Sequence, residues 1–547
     1  MLNLHVIMHV LDVNRLLSQF NEIPLINMVA LIVLPFMGGL AGFFLMVSAM
    51  GNMVSMYRHL ESGKSTRLLI TRQVLGGFLL LIFAMLTEGV IGYQGALGNI
   101  FRSLNNIQNA DVEVAFYRIW HFETIHTIAW AIIVNGIIQG LLSRNGKWKD
   151  TKYMFKMYTL IAIIVLALTP LAWSLGSPYT NEVMFYPPLN DLETWTKIYP
   201  IPLAFILGPL AAHPEPLMPY LAASCIGSML GMYIAQPREQ IDLSWLKKFF
   251  YVGLAMFIIG VIGFAINIVS ILLVDFDGAL NIYQRIWDHR YFTVENGVPY
   301  AGWLFQFLML NGFGLLVCVL FIRLVEFRGE AAQFAESTMF IRRFGFVAFT
   351  VYCCQYVYYV MHLIVSSLYT YIQTGTAVPY QHLGWDGTAI TIILTLLSFH
   401  GILKLWEKID YIGSLEWWIG TIAAALIPGK NTKSGKSKEG MKWWEYGRLD
   451  VKNAFYEPEW ININEKKDFP KEAMVESRFA SKLGGLSIVF WPIAFKALKT
   501  AKESMESEGV NKYNKKAKVM AIIGLILTPI MVVFLTSVSL STFGIYL

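Results

Sequence analysis

The feature that most narrows what this chain can fold into is a succession of apolar blocks, each about 20 residues or longer and nearly free of charge. A helix rising 1.5 Å per residue needs about that length to cross roughly 30 Å of hydrocarbon. Lipid offers no partner to backbone N–H and C=O groups, so only helices and closed barrels span it, and barrel-type alternation is absent. Composition agrees: of 547 residues 56% are hydrophobic and 15% charged, with a mean hydropathy of +0.51. That excludes a string of soluble domains. The expected class is all-α, a polytopic membrane helix bundle of about ten transmembrane helices, at 24–50, 73–93, 119–143, 154–177, 216–235, 248–274, 303–325, 344–372, 385–406 and 519–545.

Charge placement orients this map, because Lys and Arg gather in cytoplasmic loops. The segment 51–72 carries Arg58, Lys64, Arg67 and Arg72, and 144–153 carries Arg144, Lys147, Lys149 and Lys152. Both read as cytoplasmic. The alternate loops 94–118 and 178–200 are poor in base and read as external. Alternation holds if 200–213, short and broken by proline, is re-entrant or interfacial rather than spanning. The domain plan is then a short external or interfacial helix at 1–23, a multi-helix membrane domain at 24–428, a cytoplasmic basic linker with an amphipathic helix at 429–518, and a C-terminal transmembrane helix at 519–547. Within 486–503, apolar positions alternate with Lys496, Lys499 and Lys502, which suits either a helix at the membrane surface or an ordinary packing helix. The expected setting is the cell membrane. Cys225, Cys318, Cys353 and Cys354 lie in apolar segments without metal-site spacing and read as small core residues.

Three stretches together resemble one superfamily. The first is Leu34–Ala49, followed by a basic loop and Arg72-Gln-Val-Leu-Gly-Gly; the second is Phe122-Glu-Thr-Ile-His-Thr-Ile-Ala-Trp130. The third joins Pro216-Leu-Met-Pro-Tyr-Leu-Ala and Gly227-Ser-Met-Leu-Gly231 to the helix Phe344–Gln355 and the run Leu405–Trp418. In order and spacing over about residues 25–425 they are similar to the transmembrane acyltransferases that include the YeiB-like membrane proteins and heparan-alpha-glucosaminide N-acetyltransferase. The resemblance departs at the start, where Met1–Asp12 matches only the outer end of a shortened first helix. It implies transfer of an acyl or acetyl group from cytosolic acyl-CoA to an external glycan or lipid headgroup, with no prosthetic group.

Such transfer needs a base in a hydrated cavity, and histidine suits neutral pH. His5 and His9 are one helical turn apart, with Asp12 a further i+3 step on as an orienting carboxylate. Glu123 and His126, also i and i+3, enter a membrane helix where ionisable groups are expensive and hence functional candidates. The catalytic candidates are therefore His9 or His126 as base, with Asp12 or Glu123 as orienter. Arg58, Lys64, Arg67, Arg72 and Arg144 are the candidates for the CoA phosphates, although any cytoplasmic loop is basic by the same topology rule. His121 lies about 140° around a helix from His126, which disfavours a metal. Haem ligation by His362 and His400 is disfavoured for want of an attachment motif. Expected partners are the lipid bilayer, the glycan or lipid acceptor, and other membrane proteins or a second copy, and not nucleic acid. Two other classes stay open: a non-catalytic scaffold subunit, and a transporter of a small solute or lipid.

Overall fold

The computed structural model describes residues 2–12, 36, 39–120, 122–176, 205–211, 216–236, 241–274, 302–328, 331–427, 439–449, 451, 474–488 and 493–526. They contain helices and, in place of strands, a single parallel bridge between Leu11 and Leu383. Eight helices are long and apolar enough to cross a membrane: Thr66–Arg102, Thr124–Leu142, Thr151–Gly176, Leu217–Ile234, Leu243–Ile266, Trp303–Leu324, Ala348–Thr374 and Trp385–Ile409. These eight match the expected spans from 73–93 to 385–406, while most of 24–40 and of the last expected helix lies outside the described residues. His121 and half of the 200–213 segment lie outside them too; what is described there is a short helical turn at 205–211.

The chain divides into two units. The first comprises Met1–Val10, Leu34–Gln381 and Ile390–Ile461; the second comprises Leu11–Val33, His382–Ala389 and Asn462–Leu547. Within the first, α1 is Leu2–Val10, α2 Ala41–Glu61, α3 Thr66–Leu86, α4 Ala96–Arg102, α5 Val112–Tyr117, α6 Thr124–Leu142, α7 Thr151–Gly176 and α8 Leu217–Ile234. They are followed by α9 Leu243–Val274, α10 Gly302–Leu324, α11 Ala331–Ser337, α12 Met339–Phe346, α13 Ala348–Cys353, α14 Val357–Thr374, α15 Trp385–Trp406, which belongs to this unit from Ile390 on, and α16 Leu415–Leu426. The main pairings are α2 on α8, α3 on α6, α7 on α8 and α9 on α10.

Small residues set these contacts, as they do where lipid supplies no hydrophobic drive between helices. Gly227 and Gly231 of α8 lie on α2, where a Cβ at Gly227 would collide with the Met46 carbonyl. Gly136 and Gly140 of α6 receive Gln73 and Ile70 of α3 in the same way. Helix starts are marked by side-chain caps: Ser65 Oγ accepts the Leu68 amide at α3, and Ser414 Oγ accepts the Trp417 amide at α16. α16 is a short apolar helix that the sequence map lacked, because its 12 residues fall below spanning length.

In the second unit α17 (Val475–Ser487) and α18 (Ile493–Glu508) pack with a third helix, α19, at 512–526. Ala480, Ala501 and Ala517 form their shared core. Ala494, Ala497, Thr500, Ala501 and Ser504 of α18 are buried within the unit, while Leu486, Ile488 and Phe495 are exposed.

Candidate active site

At the end of α3 the helix widens into a π-turn over Thr87–Ile91, an insertion that frequently marks functional sites. The turn buries Glu88, at 4% exposure, where α3 meets the 3₁₀ turn Arg118–Trp120. Arg118 Nη2 lies 4.0 Å from Glu88 Oε2 and 3.9 Å from Glu123 Oε1, and the same nitrogen donates to Gln94 Oε1. One guanidinium therefore faces two carboxyl groups, both nearly sealed from solvent. Gln94 in turn donates through Nε2 to the Tyr93 hydroxyl at 2.8 Å. The backbone bends tightly enough to hold Tyr93 and Gln94 here because α4 begins against them, where a Cβ at Gly98 would collide with the Tyr93 carbonyl.

The histidines stand beside this cluster. His5 Nδ1 bonds Gln355 Oε1 at 2.7 Å, and its ring lies 4.9 Å from that of Tyr93 and 6.3 Å from that of Tyr352. An amide oxygen only accepts, so Nδ1 carries the proton and Nε2 the lone pair, the tautomer being assigned from the hydrogen bond. Burial holds the imidazole below its usual pKa, opposed by the Gln355 bond and the Glu123 carboxylate, so His5 is neutral near pH 7. His9, one turn on, stacks on Tyr358 at 5.7 Å and meets Tyr359 edge-on at 5.9 Å. Arg102 donates to the Tyr359 hydroxyl at 2.6 and 3.1 Å.

Helix α1 ends at Val10, and beyond it the Asp12 amide is donated to the Leu383 carbonyl at 3.3 Å. His126 does not present a base at Nδ1, which accepts the Glu123 amide at 3.2 Å and leaves the proton of a neutral ring on Nε2. The pair Glu123 and His126 forms the start of α6, and that helix begins at Thr124 instead of near 119. Glu123 does sit in the charged cluster, through Arg118. His5, which the sequence reading paired with His9 but did not name as the base, has the defined tautomer, and its fixing partner Gln355 lies 350 positions away.

The basic candidates lie at the other end of the same helices. Arg58 ends α2, Lys64 Nζ meets His59 Nδ1 at 3.3 Å, Arg67 and Arg72 lie on the first turns of α3, and Arg144 follows α6. Arg58, Arg67 and Arg144 are exposed. Their two loops adjoin, since Tyr57 donates to the Trp148 carbonyl at 2.6 Å and Trp148 packs on Met56, Leu60 and Leu69. From Arg144 to His126 the helix rises ~27 Å at 1.5 Å per residue, about the hydrocarbon thickness. Between the two ends a small recess is lined by Ser48 and Asn52 of α2, Asn135 of α6 and Ser224 of α8. Asn135 and Gln139 donate their amide N–H groups to Ser228 Oγ at 2.9 and 3.0 Å, leaving buried Oδ1 and Oε1 without a donor among the described residues.

The remaining membrane histidines have structural surroundings. His362 Nε2 bonds the Gln381 carbonyl at 2.9 Å, and His400 lies 4.8 Å from the Phe340 ring. Among the described residues no group of His, Cys, Asp or Glu has metal-binding geometry.

Fold and composition define a multi-pass, all-α membrane protein with a buried acid, arginine and histidine cluster toward one end of its helices. Comparison with known protein families, with curated proteins and with solved structures found no match.

Proposed function

We propose that the chain is an acyltransferase-like protein of the cell membrane that moves an acyl group from cytosolic acyl-CoA to an external glycan or lipid headgroup. The basic loops then face the cytosol, the segment 429–518 lies on that same side, and the acid and histidine end faces outward. The observation that carries the reading is the neutral His5 imidazole, fixed through Nδ1 by Gln355 with Nε2 left as the acceptor. In the step envisaged, His5 Nε2 takes the proton of an acceptor hydroxyl as that oxygen attacks the thioester carbonyl. The C–O bond forms, the C–S bond breaks, and the thiolate of CoA recovers the proton from the imidazolium. Arg118 and the Tyr93 hydroxyl supply positive charge and a hydrogen-bond donor near the site where an oxyanion develops. Along the way, the buried amide oxygens of Asn135 and Gln139 suit the N–H groups of the donor's amide-bearing arm.

Proteoliposomes given radiolabelled acetyl-CoA from the side of the basic loops test this. The reading expects label on an acceptor at the opposite face. Intact acetyl-CoA, together with partner proteins that co-purify in fixed ratio, would instead favour a non-catalytic scaffold.

A further inference from the structure

Independently of the acyl-transfer reading, the α17–α19 bundle is polar at one end and apolar at the other. At the polar end every helix terminus is tied. Glu508 accepts the amides of Glu476 and Ser477 at 2.8 and 2.9 Å and the Ser477 hydroxyl at 2.6 Å. Asn511 donates to Ser477 Oγ at 2.7 Å, and Asn514 donates to the Gly509 carbonyl at 2.8 Å. The other end is built from the close of α17 and the close of α19, which run side by side: a Cβ at Gly484 would press on Ala517, and one at Gly524 on Ser487. There Leu486, Ile488, Val519, Ile522, Ile523 and Ile526 are 39 to 56% exposed.

Lysines ring that apolar end at a constant setback. Lys515, Val519 and Ile523 form one i, i+4 row on α19, and Lys518, Ile522 and Ile526 form the next. Lys482 stands one turn below Leu486 on α17. Lys482, Lys515, Lys516 and Lys518 are all exposed. From Lys518 to Ile526 the helix rises ~12 Å at 1.5 Å per residue, the depth over which an interfacial element passes from headgroups into acyl chains. A chain with eight candidate spans necessarily sits beside a bilayer, and from Val519 to Leu547 the sequence carries no charged side chain. Both facts favour lipid over another protein as the occupant of the apolar end.

We propose that this bundle docks end-on into an anionic bilayer surface, its apolar end entering the acyl chains and its lysine ring binding lipid phosphates. A basic cluster beside a membrane gains about 1 kcal/mol per Lys or Arg from anionic lipid, so Lys482, Lys515, Lys516 and Lys518 make the docking depend on lipid charge.

The test uses the full chain in nanodiscs of phosphatidylcholine alone or mixed with phosphatidylglycerol, labelled with an environment-sensitive fluorophore at Ile488→Cys or at Ser507→Cys. Cys225, Cys318 and Cys353 are buried, and Cys354 is replaced by Ser. The expected result is blue-shifted emission at position 488 that is quenched by nitroxide-labelled lipid, more strongly with phosphatidylglycerol, while 507 is quenched by aqueous iodide. Lys482→Gln, Lys515→Gln and Lys518→Gln together should remove the lipid-charge dependence. Iodide quenching at 488 would overturn the proposal, as would shielding of 488 from both quenchers, which would mean that protein covers it. Equal lipid quenching in the two nanodiscs would overturn the anionic part.

Discussion

Replacing Arg118 with Met should destabilise the protein severely, because one guanidinium serves two buried carboxyl groups. At 3.9 Å the attraction between Arg118 and the Glu123 carboxylate is ~4 kcal/mol for an effective dielectric of about 20, and Glu88 adds a polar contact at 4.0 Å. Desolvation offsets most of that attraction, so the useful quantity is the effect of removing one partner, about 3–5 kcal/mol for a buried pair. That lowers the folded-to-unfolded ratio by roughly two to three and a half powers of ten, since 1.4 kcal/mol is a factor of ten. The assay is reversible unfolding in mixed micelles, read by tryptophan fluorescence. A second variant removes the ambiguity of a merely bulky change: Arg118→Met with Glu88→Gln and Glu123→Gln leaves no unpaired charge and should recover most of the loss. The reasoning is refuted if Arg118→Met unfolds within about 1 kcal/mol of the parent, or if the triple variant is no more stable than the single one.

Three further outcomes follow from other parts of the fold. Glu416→Leu should cost about 2–3 kcal/mol in the same unfolding assay, because the Glu416 carboxylate accepts the Phe349 and Thr350 amides at 2.6 and 3.3 Å and the Thr350 hydroxyl at 2.5 Å; a loss under 0.5 kcal/mol would contradict this. Gly227→Val should force α8 from α2 and reduce the yield of monodisperse protein at least as much as a strain of about 1–3 kcal/mol implies, whereas Gly51→Val, with open space around its Cβ, should not. For His5 the folded pKa is lowered, so the unfolded chain binds the proton first as pH falls through about 6.5, and stability declines from pH 7.5 to 5.5. His5→Gln should flatten that decline; an unchanged slope would show that His5 does not titrate differently on folding.

The membrane spans were legible because lipid imposes them: a backbone that cannot bond to solvent must be helical, and length and charge then mark each span without knowledge of neighbours. Helix ends were less legible. The run Arg118 to Glu123 read as the entry of a helix, yet Arg118 lies in a 3₁₀ turn and faces Glu123 at 3.9 Å, and α6 begins at Thr124. The π-turn that buries Glu88 has no period of its own in the sequence, so its position beside Arg118 is not legible there. Periodicity put His5 and His9 on one face, and the sequence reading named His9 as the base; the contacts that single out His5 come from Gln355 and Tyr93 on distant segments. The end of α1 at Val10 was not legible either, because nothing local in Val10-Leu11-Asp12 signals that the helix stops. The amphipathic pattern in 486–503 was real, but its small buried residues face other helices of the same unit.

The central claim is that His5, held by Gln355, is the base of an acyl transfer, and its most direct test is the initial rate of free CoA release from acetyl-CoA by purified protein carrying His5→Ala or His9→Ala. The account predicts release by the parent, at least a hundredfold loss with His5→Ala given the usual 10²–10⁴ contribution of general-base catalysis, and a rate within about tenfold of the parent with His9→Ala. Undiminished release by His5→Ala, or none by the folded parent protein with any acceptor, would contradict it.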